Sequence, residues 1–235
     1  MDCIYYPSFN KNNNYINIER SHTNHLKALR IQLGKELILT NGEGLLVKTI
    51  FMDGDKESFI FKVTEIIEQF EEFPHRFALA LAMLGTRDRF EFAFEKAVEL
   101  GVTDFFPLIT KHTQKEKIRK ERLTAKAISA IAQSQRAMLP IIHNPINIID
   151  LAEQFLSFDK ACIADIDAAP IPDNTGNNQY NSVIAIIGPE GGFSSEELDI
   201  LRKKKNSLFF SLGKKRLRSE TAAIVSLGLL SKAFN

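Results

Sequence analysis

Two glycine-bearing stretches near the carboxyl end hold the residues whose types and spacing could do chemistry. The first, IIGPEGGFSSEEL at 186–198, runs an apolar segment into Gly188-Pro189, then Glu190, then Gly191-Gly192. A phosphate-binding loop here would need GxxxxGK followed by Ser or Thr, because lysine and hydroxyl neutralise phosphate and hold magnesium. No lysine follows before Lys203. A dinucleotide fingerprint would need GxGxxG, which GPEGG does not supply. A carboxylate beside a pyrophosphate is repulsive, so the expected ligand is neutral or cationic on that side. The plainer alternative is a tight turn before a helix. Ser194 with Glu197 three residues on forms a capping-box pattern and starts that helix.

The second stretch is SLGKKRLRSETAAIVSLGLL, 211–230. An apolar segment runs into Gly213, a basic knot follows, and a helix headed by Ser219 comes next. Between 202 and 218 there are eight Lys or Arg residues and no Asp or Glu. Such a block is either a solvated face or a surface for a polyanion. The helix is apolar almost all round, which predicts burial in the core or at a subunit interface.

Elements must position these turns. Over 34–66, KELIL, LLVKTIF and SFIFKVTEI are separated by turns at Asn41-Gly42 and Asp53-Gly54, predicting a meander of short strands. The acidic, proline-containing EQFEEFPHR at 68–76 reads as a boundary, and the Asn-rich 10–17 as a surface turn. Beyond it strands and helices alternate. Strands are expected at FALALAML, DFFPLIT, KACIAD, SVIAIIG and SLFFSL, and helices over 88–100, 116–137, 194–204 and 219–234. Alternation of this kind implies a mostly parallel sheet covered on both faces. The expected division is a small β domain over 1–70 and an α/β domain over 74–235.

Bulk numbers narrow the class. The 235 residues are 44% hydrophobic and 25% charged, with formal net charge +1, as in ordinary globular proteins. Net charge therefore does not point to nucleic acid, although its distribution does. Cys3 and Cys162 stand far apart, which excludes a zinc framework and suits a reducing compartment. No His/Cys/Asp/Glu cluster has metal-ligand spacing, so no metal is expected. No signal-peptide pattern opens the chain and the longest apolar run, 77–84, is too short to span a bilayer, so a cytoplasmic location is expected.

Both glycine stretches resemble the last two signature loops of the SPOUT class of methyltransferases, and specifically the RsmE family. EKAVELGVTDFFPLIT at 95–109 and HLKALRIQLGKELIL at 25–39 extend the likeness, in the family's order, over nearly the whole chain. The resemblance implies an N-terminal PUA-like β-barrel and a C-terminal α/β domain with a trefoil knot, although knots are rare on general grounds. It implies methylation of N3 of a uridine in 16S rRNA with S-adenosylmethionine as donor, by a homodimer. A donor without phosphate answers the missing lysine. Donor contacts then fall on Ile187, Gly188, Glu190, Gly191, Gly192, Leu212, Gly213, Leu217 and Thr221. For Glu190, orienting the loop, bonding the ribose and pairing with the sulfonium all remain open.

Under the same resemblance Arg218 is the catalytic donor that stabilises negative charge on the uracil O2 or O4. Glu220 or Thr221 positions the base or relays its proton, unless Ser219-Glu220 only caps the helix. His25, Lys27, Arg30, Arg136, Lys214, Lys215 and Arg216 are the expected RNA contacts, on phosphates rather than bases. Where the family shows a Pro-Arg-Ile-like run, this chain has Lys214-Lys215-Arg216; in place of a Lys-rich turn before the first helix of the α/β domain it carries Arg87 and Arg89. The alternatives are a related enzyme acting on another RNA, such as tRNA, and an RNA-binding assembly factor without catalysis.

Overall fold

A computed structural model describes residues 1–19, 31–55, 58–68, 72, 75–113, 117–171 and 180–234. They fall into two compact units, Met1–Glu72 with Ala127–Leu139, and Phe73–Lys126 with Pro140–Asn235.

The first unit is built on alternation of apolar and polar residues. Strands β1 (Cys3–Tyr5), β2 (Tyr15–Glu19), β3 (Glu36–Thr40), β4 (Leu45–Gly54) and β5 (Ser58–Glu68) form one sheet in the order β1-β3-β4-β5-β2. The central β3-β4-β5 meander is antiparallel, as the turn signals imply. Ile4 from one edge strand and Ile16 and Ile18 from the other share one core with Leu37, Leu39, Val47, Phe51 and Phe61. The sheet therefore curls until its two edges meet the same apolar interior. The Asn-rich segment divides: Asn10 and Asn13 make side-chain-closed turns, but Tyr15–Glu19 is a strand that buries Ile16 and Ile18 and exposes Tyr15, Asn17 and Glu19.

In the second unit β6 (Arg76–Ala82), β7 (Asp104–Ile109), β8 (Ile141–Ile142), β10 (Lys160–Ala164), β11 (Ser182–Ile187) and β12 (Ser207–Phe210) make a sheet in the order β12-β10-β11-β6-β7-β8, and β9 (Ile146–Asn147) also pairs with β7. Every pairing in it is parallel. Its strands are continuous apolar runs because helices cover both faces. On one face α1 (Arg87–Glu99) sets Phe90 and Phe94 against Phe105, with ring centroids 5.5 and 4.6 Å apart. On the other, α3 (Ile148–Glu153) and α4 (Ser195–Arg202) bury Ile148, Leu151, Ala152 and Leu201 against Ala78, Ala80, Ile163, Ile184 and Ile186.

Helix α2 (Lys120–Ser134) is shorter than the 116–137 expected. Gln135 takes φ +57°, a left-handed turn that ends the helix, and the Arg136 amide then bonds the Ile131 carbonyl at 2.9 Å. The last helix, α5 (Ser219–Phe234), is not buried all round. Ala223, Leu227 and Leu230 are buried, whereas Val225 and Leu229 are each 37% exposed. No helix among the described residues is long and apolar enough to cross a membrane.

Candidate active site

Strands β10, β11 and β12 lie side by side and parallel, so their carboxyl ends open on one edge of the sheet, where open α/β sheets bind ligands. A cavity of about 670 Å³ lies there. Both glycine turns line it, through Ile187–Phe193 of one and Leu212, Gly213, Lys215, Arg216, Leu217 and Arg218 of the other. The segment 164–167 that leaves β10 forms a third wall. The sequence reading assigns no site residue to that wall; it has KACIAD as a strand, and the loop at a strand's carboxyl end is where a switch-point site draws residues.

Backbone conformation explains the glycines. Gly192 has φ +71° and Gly213 φ +110°, values an L side chain resists. A Cβ built on either meets nothing within 4 Å, so the space beside each turn is open. Gly191 is different: a Cβ there would meet the His112 side chain at 3.2 Å, and Nδ1 of His112 lies 3.1 Å from the Gly192 carbonyl. The turn is braced below by α4. Ser194 Oγ accepts from the Glu197 amide at 3.3 Å and Glu197 Oε2 accepts from the Ser194 amide at 2.7 Å, the reciprocal capping box the sequence announces. Glu197 Oε1 also accepts from the Lys111 amide at 2.8 Å.

Charged side chains join the two turns. Arg216 Nη2 donates to the Glu190 carbonyl at 2.6 Å. Arg89, in the first turn of α1, donates from Nη1 to Glu190 Oε1 at 2.8 Å. Its Nε and Nη2 reach Glu220 Oε1 and Oε2 at 2.7 and 2.6 Å, a two-pronged fork. The hydrogen bonds from Arg89 hold the Glu220 carboxyl below its ordinary range, against the opposing effect of burial, and the charges of Arg89 and Arg218 add to this. Arg89 is pushed up in turn by the Glu220 bond. Arg218 is exposed at the cavity wall, and its guanidinium hydrogen-bonds nothing among the described residues.

The remaining expected site residues are placed as follows. Ile187, Gly188, Glu190, Gly191, Gly192, Leu212, Gly213 and Leu217 all line the cavity, as do Lys215 and Arg216. Lys214 is exposed beside them. Thr221 is exposed on α5 and Glu220 is buried at its head; neither lines the cavity. Arg136 lies in the first unit, 7% exposed, and its guanidinium donates to Glu72 Oε2 at 2.7 Å from Nη2 and 3.1 Å from Nε. The other Glu72 oxygen accepts from the Ala137 and Met138 amides, so the pair closes the chain around Ala137 rather than facing solvent. His25, Lys27 and Arg30 lie outside the described residues. No group of three or more His, Cys, Asp or Glu among the described residues could hold a metal ion.

A parallel sheet with a ligand cavity between glycine turns at its carboxyl edge defines a class, and comparison with known proteins names it: residues 71–231 match the model of the RNA methyltransferase domain family. The ribosomal RNA small subunit methyltransferase E of Mesomycoplasma hyopneumoniae is 33% identical over 222 residues, spanning 92% of this chain and 94% of that one. The enzyme of the same name from Rickettsia conorii is 32% identical, over 88% of this chain and 84% of that one. A Legionella pneumophila methyltransferase solved with bound S-adenosylmethionine superposes with a TM-score of 0.80 at 28% identity, covering 97% of this chain and 96% of that one. The chain belongs to the ribosomal RNA small subunit methyltransferase E family, the RsmE family of RNA methyltransferases.

Proposed function

We propose that this chain methylates N3 of a uridine in 16S rRNA, in the cytoplasm, with S-adenosylmethionine as methyl donor. The observation that carries the reading is the cavity framed by two glycine turns, with an exposed arginine on its wall, Arg218, that hydrogen-bonds nothing among the described residues through its guanidinium. The residues present fit the donor. A volume of about 670 Å³ lies within the usual range of small-molecule sites, and the open space beside Gly192 and Gly213 admits a ligand against bare backbone. Leu212, Leu217 and Ile187 supply apolar walls, and the backbone groups of Gly188, Gly191, Gly192 and Gly213 supply polar contacts. When bound, the donor supplies an electrophilic methyl group on a sulfonium.

The chain must then ready the acceptor. The proton on uracil N3 passes to solvent water before nitrogen attacks the methyl carbon, and the negative charge left on the ring spreads onto O2 and O4. Arg218 donates hydrogen bonds to one of these oxygens, a donor aimed at the charge as it develops. Glu220, forked by Arg89 and held ionised, serves in this reading as the anchor of the α5 amino end and not as the base. Glu190, held by Arg89, orients its loop. Lys214, Lys215 and Arg216 contact RNA phosphates, which position the strand and offset the cost of extruding the target base. Arg136, committed to Glu72, is not counted among those contacts.

A homodimer joined through the exposed side of α5, at Val225 and Leu229, completes the proposal; light scattering at micromolar concentration tests it, with a strictly monomeric mass against it. The functional test is nucleoside mass spectrometry of 16S rRNA incubated with the purified protein and S-adenosylmethionine, using RNA from cells that lack the gene. Appearance of 3-methyluridine is the expected result. Methyl incorporation only into tRNA, or donor binding without transfer, overturns it.

A further inference from the structure

Among the charged groups around the cavity, Arg89 has the fullest set of bonds and the least obvious task. It does not line the cavity. It reaches the carboxylates of two separate elements, Glu190 in the first glycine turn and Glu220 at the head of α5, with contacts of 2.8, 2.7 and 2.6 Å. Arg218 stands two positions before Glu220 and carries the same charge as Arg89. It is near enough for its field to act on the Glu220 carboxylate, yet it hydrogen-bonds nothing among the described residues. One carboxylate thus has two arginines within electrical reach, and only one of them is bonded to it.

We propose that Arg89 is a positioning residue that occupies Glu220 and thereby keeps the Arg218 guanidinium unpaired and available to the reacting base. The claim rests on the methyl-transfer reading given above. Arg89 is bonded to both carboxylates and Arg216 is spent on the Glu190 carbonyl, whereas the Arg218 guanidinium hydrogen-bonds nothing among the described residues. Take Arg89 away and the Glu220 carboxylate loses both prongs of its fork. Glu220, buried and stripped of its fork, is then left with Arg218 as the other arginine whose charge acts on it, and a buried carboxylate without a partner is costly. An arginine drawn into that bond is withdrawn from the wall of the cavity. Arg89 also ties Glu190 to α1, so a single guanidinium sets the distance between the first glycine turn and the start of α5. A planar fork does this better than a point charge can.

Steady-state methyl transfer to 16S rRNA tests the proposal, with the affinity for S-adenosylmethionine measured separately by calorimetry. Wild type is assayed first: an inactive wild type overturns the functional reading itself, whatever the variants do. With an active wild type, Arg89→Ala is expected to lower kcat by about a hundredfold, the scale of a misplaced catalytic group, with the KM for the donor nearly unchanged. Adding Glu220→Gln removes the competing carboxylate, so Arg89→Ala/Glu220→Gln is expected to recover at least about a tenth of wild-type kcat. A merely structural role predicts the reverse, a double variant worse than the single. Arg89→Lys, which keeps the charge and loses the fork, is expected between wild type and Arg89→Ala, and it stands in if Arg89→Ala does not fold. Wild-type kcat in Arg89→Ala, or a double variant no better than the single, overturns the inference; where Arg89→Ala does not fold, an Arg89→Lys/Glu220→Gln variant no better than Arg89→Lys does so.

Discussion

Arg218 is where chemistry and legibility meet. Its type, its place after a basic turn and its position before an apolar helix were visible in RLRSETAAIV, and the structure leaves its side chain exposed at the cavity. If it stabilises charge developing on the uracil ring, its loss should act on the transition state and not on donor binding. Arg218→Ala is expected to lower kcat by about 10²–10³, the cost of removing one preorganised donor, with the dissociation constant for S-adenosylmethionine changed only slightly. Donor binding lost in proportion would move Arg218 to the cofactor's contacts. Arg89 was much less legible. It is 131 positions from Glu220 and 101 from Glu190, and no periodicity or spacing in a single sequence brings such partners together. The burial of Arg136 was hidden for the same reason, because its partner Glu72 lies 64 positions away.

At the scale of elements, what the sequence displayed depended on how much each segment repeats. Five strands of the α/β unit are apolar runs of four to seven residues, and these are the five expected. Two-residue strands β8 and β9 and the six-residue α3 carry too few residues for any period to show. Tyr15–Glu19 does alternate, but Asn17 on its outer face and the run of asparagines before it mask the pattern. The glycine turns were legible as turns, and their dihedral angles grade the cost of changing each one. Gly213, at φ +110°, lies in a region nearly closed to other residues, so Gly213→Ala is expected to strain the backbone by about 1–3 kcal/mol, lower Tm and weaken donor binding. Gly191 has no positive φ, and the nearest atoms to a Cβ there are His112 Cβ, Cγ and Nδ1 at 3.2, 3.3 and 3.3 Å, a contact that a shift of a few tenths of an ångström relieves. Gly191→Ala should therefore cost clearly less. Thermal melts with and without S-adenosylmethionine decide between the two, and equal losses would refute this account of the turns.

Over the molecule as a whole, the α/β unit separates chemistry from anchorage along its strands. The cavity lies at the carboxyl ends; at the amino ends of β6 and β7 lies a different cluster, built around Asp104, whose side chain is 5% exposed. Arg76 donates to Asp104 from Nη2 at 2.8 Å and Nε at 3.1 Å, Thr103 Oγ1 donates at 2.9 Å, and His143 Nε2 lies 2.8 Å away. Flat aromatic faces hold these partners: His143 stacks on Phe106 at 3.9 Å, and the Arg76 guanidinium sits 4.3 Å over Phe158. Burial pushes the Asp104 carboxyl up, but the Arg76, His143 and Thr103 bonds together with the Arg76 charge outweigh it and leave the group below its ordinary 3.8. A carboxyl depressed in the folded state stabilises the fold above its unfolded value and ceases to do so as pH falls through the folded one. Asp104→Asn should consequently lower stability at neutral pH by about 1–3 kcal/mol, the cost of leaving hydrogen-bonding partners unsatisfied. Because this cluster is remote from the cavity wall, the S-adenosylmethionine affinity of the folded variant should match that of wild type. The gap in Tm between wild type and variant should be full at pH 7 and close as pH drops below about 4, where the carboxyl takes up its proton and the two side chains become alike in charge. A gap that stays constant down to pH 2 would mean that Asp104 contributes through shape alone, and that its ionised bonds to Arg76 and His143 do not hold the strand ends together.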